Sequence, residues 1–217
     1  MRKWIPVLII AAAVIASAAV YSQLPERMPA HWNSAGEVDE WSGKTRGAWL
    51  GPFVLIGLWV MLRFLPRIDP KRANYAKFGG TYEAVIVTIM LFALAVHAVG
   101  LRAGLGMRDP VNHLAPLGIA ALMIVIGNLL PRARPNWFLG IRTPWTLSSD
   151  RVWEKTHRLG GRLLVLGGIV VALTALFATP MVHPLMIGTL VISSLTTVVY
   201  SYLEWRRLQG SDAARQT

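Results

Sequence analysis

Six apolar runs dominate this chain: about Trp4 to Tyr21, Ala48 to Leu65, Ala84 to Leu101, Leu114 to Leu130, Leu163 to Ala178 and Met181 to Leu203. Each approaches the ~20 residues that an α-helix needs to cross the hydrocarbon of a bilayer. Lipid offers no partner for a backbone N–H or C=O, so such a run folds as a helix whose hydrogen bonds close within it. The second run is the least regular, because Gly51, Pro52 and Arg63 interrupt it, although Arg63 lies near an end from which its stem can snorkel to the headgroups. With 54% hydrophobic and 15% charged residues and a mean hydropathy of +0.46, the 217 residues are too apolar for a disordered chain or a water-soluble domain. The expected fold is all-α: a polytopic membrane helix bundle with six transmembrane helices in a single integral membrane domain.

Lysine and arginine decide which way the spans face, since near span ends they stay on the cytoplasmic side. With the amino terminus inside, 17 of the 22 fall in inner segments, notably Arg63, Arg67, Lys71, Arg72 and Lys77 after the second span and Arg132, Arg134, Arg142, Arg151, Lys155, Arg158 and Arg162 after the fourth. Arg27, Lys44, Arg46, Arg102 and Arg108 remain outside. Both termini are therefore expected in the cytoplasm. The net charge of +11 follows one membrane face rather than a stripe on a basic domain, which argues for anionic lipid and against direct nucleic-acid binding. Arg2, Lys3, the apolar run after them and Ala16-Ser17-Ala18 also fit a cleavable secretory signal, but the five spans that follow favour a retained first span. Trp4, Tyr21, Trp49, Trp137 and Trp205 lie near span ends, where amphipathic rings suit the interface.

Few polar groups lie deep in the spans. His97, Asn128 and Glu83 each sit close enough to an interface to reach water, and no series of acids crosses the bilayer as a proton-coupled transporter needs. Thr189, Ser193, Thr197 and Ser201 follow at i, i+4 and make a seam of small hydroxyl residues suited to helix packing. Gly47 with Gly51, and Gly100 with Gly104, have the same spacing, and Gly167 with Gly168 allows close approach in the fifth span. Such seams serve contacts within one chain or between copies, so a homo-oligomer stays open.

Two connecting loops carry more than a link requires. The outer one, Leu24 to Arg46, combines rigid Pro25 and Pro29, a turn at Ser34-Ala35-Gly36, the rings of Trp32 and Trp41, and the acids Glu37, Asp39 and Glu40. It reads either as a recognition surface, with Pro29, His31, Trp32, Asn33, Gly36 and Trp41 as candidates, or as a lid packed on the membrane surface. The inner one, Pro131 to Gly161, is too rich in proline and glycine in its first half to be one helix. Ser148, Ser149 and Asp150 then offer caps for an interfacial helix through Glu154 and His157 that feeds the fifth span at Gly160-Gly161.

Catalysis and metal binding find little support. With no cysteine, disulfides, thiolate nucleophiles and cysteine metal sites are excluded. His31, His97, His113 and His183 fall on the outer half near Asp39, Glu40 or Asp109, but no HExxH or close histidine pair joins them, so neither a metal nor a cofactor is expected. Ser148, Ser149, Asp150 and His157 match no nucleophile and base arrangement, and Ser149 with Asp150 reads better as a helix cap. The chain is not expected to be an enzyme.

The outer PAHWNSAGEVDEW stretch, paired with the inner NWFLGIRTPWTLSSDRVWEKTHRLGG stretch, resembles the SdpI family of bacterial membrane proteins. The inner stretch looks like that family's signature and the outer one like the small amino-terminal module that often precedes it. Nearly the whole chain is covered: a two-span module over 1–66, then a four-span part over 82–205 with a cytoplasmic signature loop over 131–161. The resemblance implies a multi-pass protein of the bacterial plasma membrane that confers immunity to a secreted, membrane-active peptide toxin. It also implies signalling, by recruitment of a cytosolic repressor to the membrane. Its motif falls on Asn136, Trp137, Gly140, Arg142, Thr143, Pro144, Trp145, Ser148, Trp153, His157 and Arg158, to none of which it gives a chemical role. A small-solute or peptide transporter, and then a membrane-embedded enzyme, are the alternative readings.

Overall fold

In the computed structural model, which describes residues 4–33, 36–107, 111–177 and 181–213, six helices are long and apolar enough to cross a membrane. They are α1 (Ile5–Val20), α2 (Lys44–Ile68), α3 (Tyr75–Gly104), α4 (Val111–Leu129), α6 (Asp150–Leu176) and α7 (Val182–Ala213); a short helix, α5 (Pro144–Ser148), lies between α4 and α6. Their outward faces stay apolar: Leu8, Phe53, Leu166, Ile192 and Leu195 are all exposed, Phe53 to 69%. So much exposed hydrocarbon is stable against lipid and not against water. The chain is a multi-pass membrane protein.

The helices α1, α2 and α3 close around Ile9, Ala13, Leu55, Phe78, Tyr82, Ile86 and Met90. On the other side α6 packs against both α4 and α7, and α3 bridges to α4. Small residues set the second contact. A Cβ on Gly161 would lie 2.5 Å from the Gly127 carbonyl oxygen, and one on Gly168 2.9 Å from that of Ala120, so α4 and α6 touch backbone to backbone. The hydroxyl seam of α7 faces α6: Ser193, Thr197 and Ser201 are buried, and Cβ atoms on Gly160 and Gly167 would meet Thr197 and Thr189 at 3.1 Å.

Two expectations need correction. The segment from Asp150 does not form a separate interfacial helix; it is continuous with the fifth span as α6, because Gly160 and Gly161 serve the close approach just described rather than a break. The third span starts at Tyr75, not Ala84, so Glu83 sits two turns inside α3, where it pairs with Arg63 of α2. The outer loop, read as a recognition surface or a lid, forms an antiparallel hairpin of β1 (Arg27–Trp32) and β2 (Val38–Gly43), with Met28 opposite Ser42, Pro29 opposite Trp41, and register shifts on either side of His31. Ser34 and Ala35 of the expected turn lie outside the described residues; Gly36 beside them has φ 78°.

The base of the hairpin is seated. Met28 is buried against α2 and α3, with the Cβ positions of Gly47 and Gly104 2.7 and 2.6 Å from its side chain. The end of α3 beneath it closes as a Schellman turn, with Met107 N–H on the Arg102 carbonyl, Gly106 N–H on that of Ala103, and Gly106 at φ 80°. Gly104 makes the close contact with Met28, whereas a Cβ on Gly100 would meet nothing within 4 Å, so Gly100 serves no helix contact within the described part of the chain.

A hairpin groove and a knotted loop at opposite ends of the bundle

The two groups of candidate residues are about 37 Å apart along α2, whose 25 residues run from the hairpin to the link with α3. They form two sites, not one.

At the hairpin end, a groove of about 590 Å³ opens between the hairpin, α2 and α3. His31, Trp32, Glu40, Ser42 and Arg46 line its polar mouth, while Leu50, Val54, Phe92 and Val96 make apolar walls that continue into the span region. Pro29 also lines it. His31 Nδ1 lies 2.6 Å from Asp39 Oδ1 across the strands, and Asn33 ties off the turn, with its Oδ1 accepting from Glu37 N–H at 3.0 Å. Trp41 is half exposed on the hairpin surface. The floor holds His97, which is not water-accessible as expected but buried: its Nε2 lies 3.0 Å from Ser17 Oγ, and Ser17 donates to the Ala48 carbonyl at 2.7 Å. Three spans are thus joined by two polar contacts through the Ser17 hydroxyl in apolar surroundings. Gly51 makes room for them, since a Cβ there would overlap the His97 ring.

At the other end, after a 3-10 turn at Leu130–Arg132, the stretch up to α5 has no regular structure, so its backbone polar groups need side-chain partners. Asn136, fully buried, provides them. Its Oδ1 accepts from the N–H groups of Phe138 (3.0 Å) and Leu139 (2.6 Å), and its Nδ2 donates to the carbonyls of Arg134 (2.8 Å) and Leu139 (3.0 Å). Trp153 and His157, one turn apart on α6, stack at 3.9 Å. Trp153 Nε1 donates to the Ala133 carbonyl at 2.9 Å, and His157 Nε2 accepts the Ile141 N–H at 3.0 Å. The other nitrogen, Nδ1, lies 2.8 Å from the Trp153 carbonyl, so the neutral ring carries its proton there and both nitrogens are engaged with backbone. His157 is not placed to act as a base for Ser148, whose hydroxyl donates to the Trp145 carbonyl, or for Ser149, whose side chain caps α6.

Gly140 completes the turn. Its φ of 112° lies where side chains are rarely tolerated, and a Cβ would overlap His157 Nε2. Thr143 caps α5 in a reciprocal box with Thr146, places Pro144 in the first turn, and reaches Ser201 of α7 at 3.0 Å. Trp145 packs on Tyr202. The remaining motif residues face outward: Trp137 is 47% exposed, Arg142 and Arg158 are exposed, and Arg142 donates to the Trp137 carbonyl while Arg158 pairs with Glu154.

Sequence reasoning missed the third participant, the link between α2 and α3. Asp69, 2% exposed, accepts from Trp137 N–H at 2.9 Å and from the Tyr75 hydroxyl at 2.8 Å. Lys71 donates to the Leu147 carbonyl at 3.0 Å and Asn74 to that of Pro135 at 2.8 Å. A lone acid among Arg63, Arg67, Lys71, Arg72 and Lys77 was the available signal. Among the described residues no group of three or more histidine or acidic side chains could hold a metal ion.

Residues 132–201, which contain this loop and the helices that hold it, match the SdpI/YfhL protein family. Over that stretch the chain is similar to the SdpI family. Residues 8–56, which contain most of α1, the hairpin and the start of α2, match a domain of unknown function (DUF1648). Among curated proteins, the Immunity protein SdpI of Bacillus subtilis (strain 168) is 24% identical over 210 residues, covering 97% of this chain and 99% of the relative. No solved structure matches. Of the motif residues, Asn136, Thr143, Trp153 and His157 are buried and fold the loop together with half-buried Gly140 and Trp145, whereas Trp137, Arg142, Pro144, Ser148 and Arg158 are exposed and displayed by it.

Proposed function

We propose that the chain protects the cell that makes it against a secreted, membrane-active peptide and reports the encounter to the cytoplasm. One observation carries this reading: the helices that wall the hairpin groove, α2 and α3, are joined at their far ends by the link whose Asp69, Lys71 and Asn74 hold the signature loop. The relative named as an immunity protein, matched over nearly its whole length, supports it.

In this reading the hairpin faces outward, the signature loop and both termini lie in the cytoplasm, and the membrane is the bacterial plasma membrane. The groove suits a peptide with one polar and one apolar face, since its mouth is polar and its walls are not. A peptide that binds better when α2 and α3 are displaced shifts the population toward that state. Displacement moves Asp69 against Trp137, changing what the loop displays to a cytosolic repressor. A repressor held at the membrane would then leave its operator.

The test is survival. A sensitive bacterium expressing the chain is challenged with a killing peptide of this class, beside Asp69→Asn and Trp153→Ala/His157→Ala variants whose membrane insertion is verified. Protection by the chain, lost in inserted variants, is expected. No protection by correctly inserted wild type overturns the immunity reading. Unchanged tryptophan fluorescence and unchanged protease sensitivity of the loop at saturating peptide overturn the signalling half.

A further inference from the structure

We infer that the signature-loop end of the bundle carries a dedicated site for the phosphate headgroup of an anionic phospholipid, between the starts of α3 and α6. A cleft of about 490 Å³ lies there, lined by Lys77 of α3, Arg134 of the loop, and Arg151 and Trp153 of α6. All three cations are exposed and, among the described residues, none has an acidic partner. Of the two acids on the cleft, Glu154 already pairs with Arg158, which leaves Asp150 against three positive charges. The pattern is selective. On the same end of the molecule Arg63 pairs with Glu83 and Lys155 with Glu204, so acids were available and are spent elsewhere.

A second cleft, of about 420 Å³, shares Lys77 with the first and adds Arg132, Gly79, Gly80, Ala84 and Leu129. The two meet at Lys77 and at the consecutive residues Pro131 and Arg132. Charge thus lies toward the loop, and apolar Ala84 and Leu129 lie toward the spans. That gradient fits a phosphate joined to glycerol and acyl chains better than it fits inorganic phosphate. Basic pockets between membrane helices take anionic headgroups in this manner. Bound lipid would bridge α3, the loop and α6, elements that in the protein itself meet here mainly through the Asn74 and Trp153 hydrogen bonds to loop carbonyls.

The experiment uses full-length protein in a neutral detergent, with retained lipid counted by native mass spectrometry and stability followed by thermal unfolding. Phosphatidylglycerol should be retained in preference to phosphatidylcholine and should raise the unfolding midpoint, while inorganic phosphate at equal concentration should not. Each cation is worth about five-fold in affinity, so Lys77→Gln/Arg134→Gln/Arg151→Gln should weaken retention roughly 100-fold. Arg206→Gln/Arg207→Gln, on the same end but off the clefts, should leave it unchanged. The charge-preserving Lys77→Arg/Arg134→Lys/Arg151→Lys should keep phosphatidylglycerol bound, which separates loss of the site from loss of the fold. Equal retention of phosphatidylcholine, an equal loss in the Arg206/Arg207 variant, or an equal shift from phosphate alone would each overturn the inference, the last pointing to a free-anion site.

Discussion

Replacing Asn136 with leucine keeps the side chain's size while removing all of its hydrogen bonds. Two backbone N–H groups, of Phe138 and Leu139, and two carbonyls, of Arg134 and Leu139, lose their partner. A buried polar group left unpaired costs about 1–3 kcal/mol. The loop groups are only partly buried, so the lower figure applies and the total is about 4 kcal/mol. That is a large share of the ~5–15 kcal/mol that holds a typical domain together, and it falls on a segment with no ladder of its own. The loop should therefore open while the spans stay folded. At about 1.4 kcal/mol per decade, hydrogen exchange at Phe138 and Leu139 should accelerate roughly a thousand-fold, and limited proteolysis should cut between 133 and 142. Asn136→Asp should fare no better: it keeps the acceptors but loses both donor bonds and sets a second carboxylate 3.4 Å from the Tyr75 hydroxyl that already serves Asp69. Exchange at these amides within ten-fold of wild type in Asn136→Leu would refute the view that this side chain folds the loop.

Three further outcomes follow from the same geometry. Gly140→Ala should lower the unfolding midpoint by an amount equivalent to about 2–3 kcal/mol, because it combines an unfavourable φ with overlap at His157; a midpoint unchanged within error would contradict this. Trp153→Phe should cost about 1–3 kcal/mol, for the bond to the Ala133 carbonyl, and Trp153→Ala about 3–5 kcal/mol, so chemical unfolding should rank them in that order. Gly51→Ala should destabilise by about 1–3 kcal/mol through overpacking against His97, whereas Gly100→Ala, with open space beside it, should be neutral in the same thermal assay.

The spans were legible because lipid permits so few solutions: a long apolar run has to be a helix, and all six runs are. What escaped depends on contacts distant in sequence. Ser17 and His97 meet across 80 positions, and no periodicity marks either. Asp69 sat in a run of cations that reads as a solvated inner surface, and nothing local distinguishes an acid that faces water from one that receives Trp137 and Tyr75. The hairpin was obscured by Pro29, which breaks strand patterning, and by register shifts around His31 that spoil its alternation. Gly160-Gly161 misled in the opposite direction, since a pair of glycines resembles a break and here serves contact with Gly127. The division of the motif residues into folding and displayed sets depends on such distant contacts and needed coordinates.

That division bears on how such chains can change over time. The side chains that shape the loop bond chiefly to main-chain atoms: Asn136 to four backbone groups, Trp153 and His157 to carbonyls and one amide. Main-chain atoms are the same whatever residue carries them. Substitutions at Trp137, Arg142, Pro144 or Ser148 can accumulate without disturbing the bonds beneath, so one scaffold can present new surfaces by drift at a handful of exposed positions while its interior stays fixed.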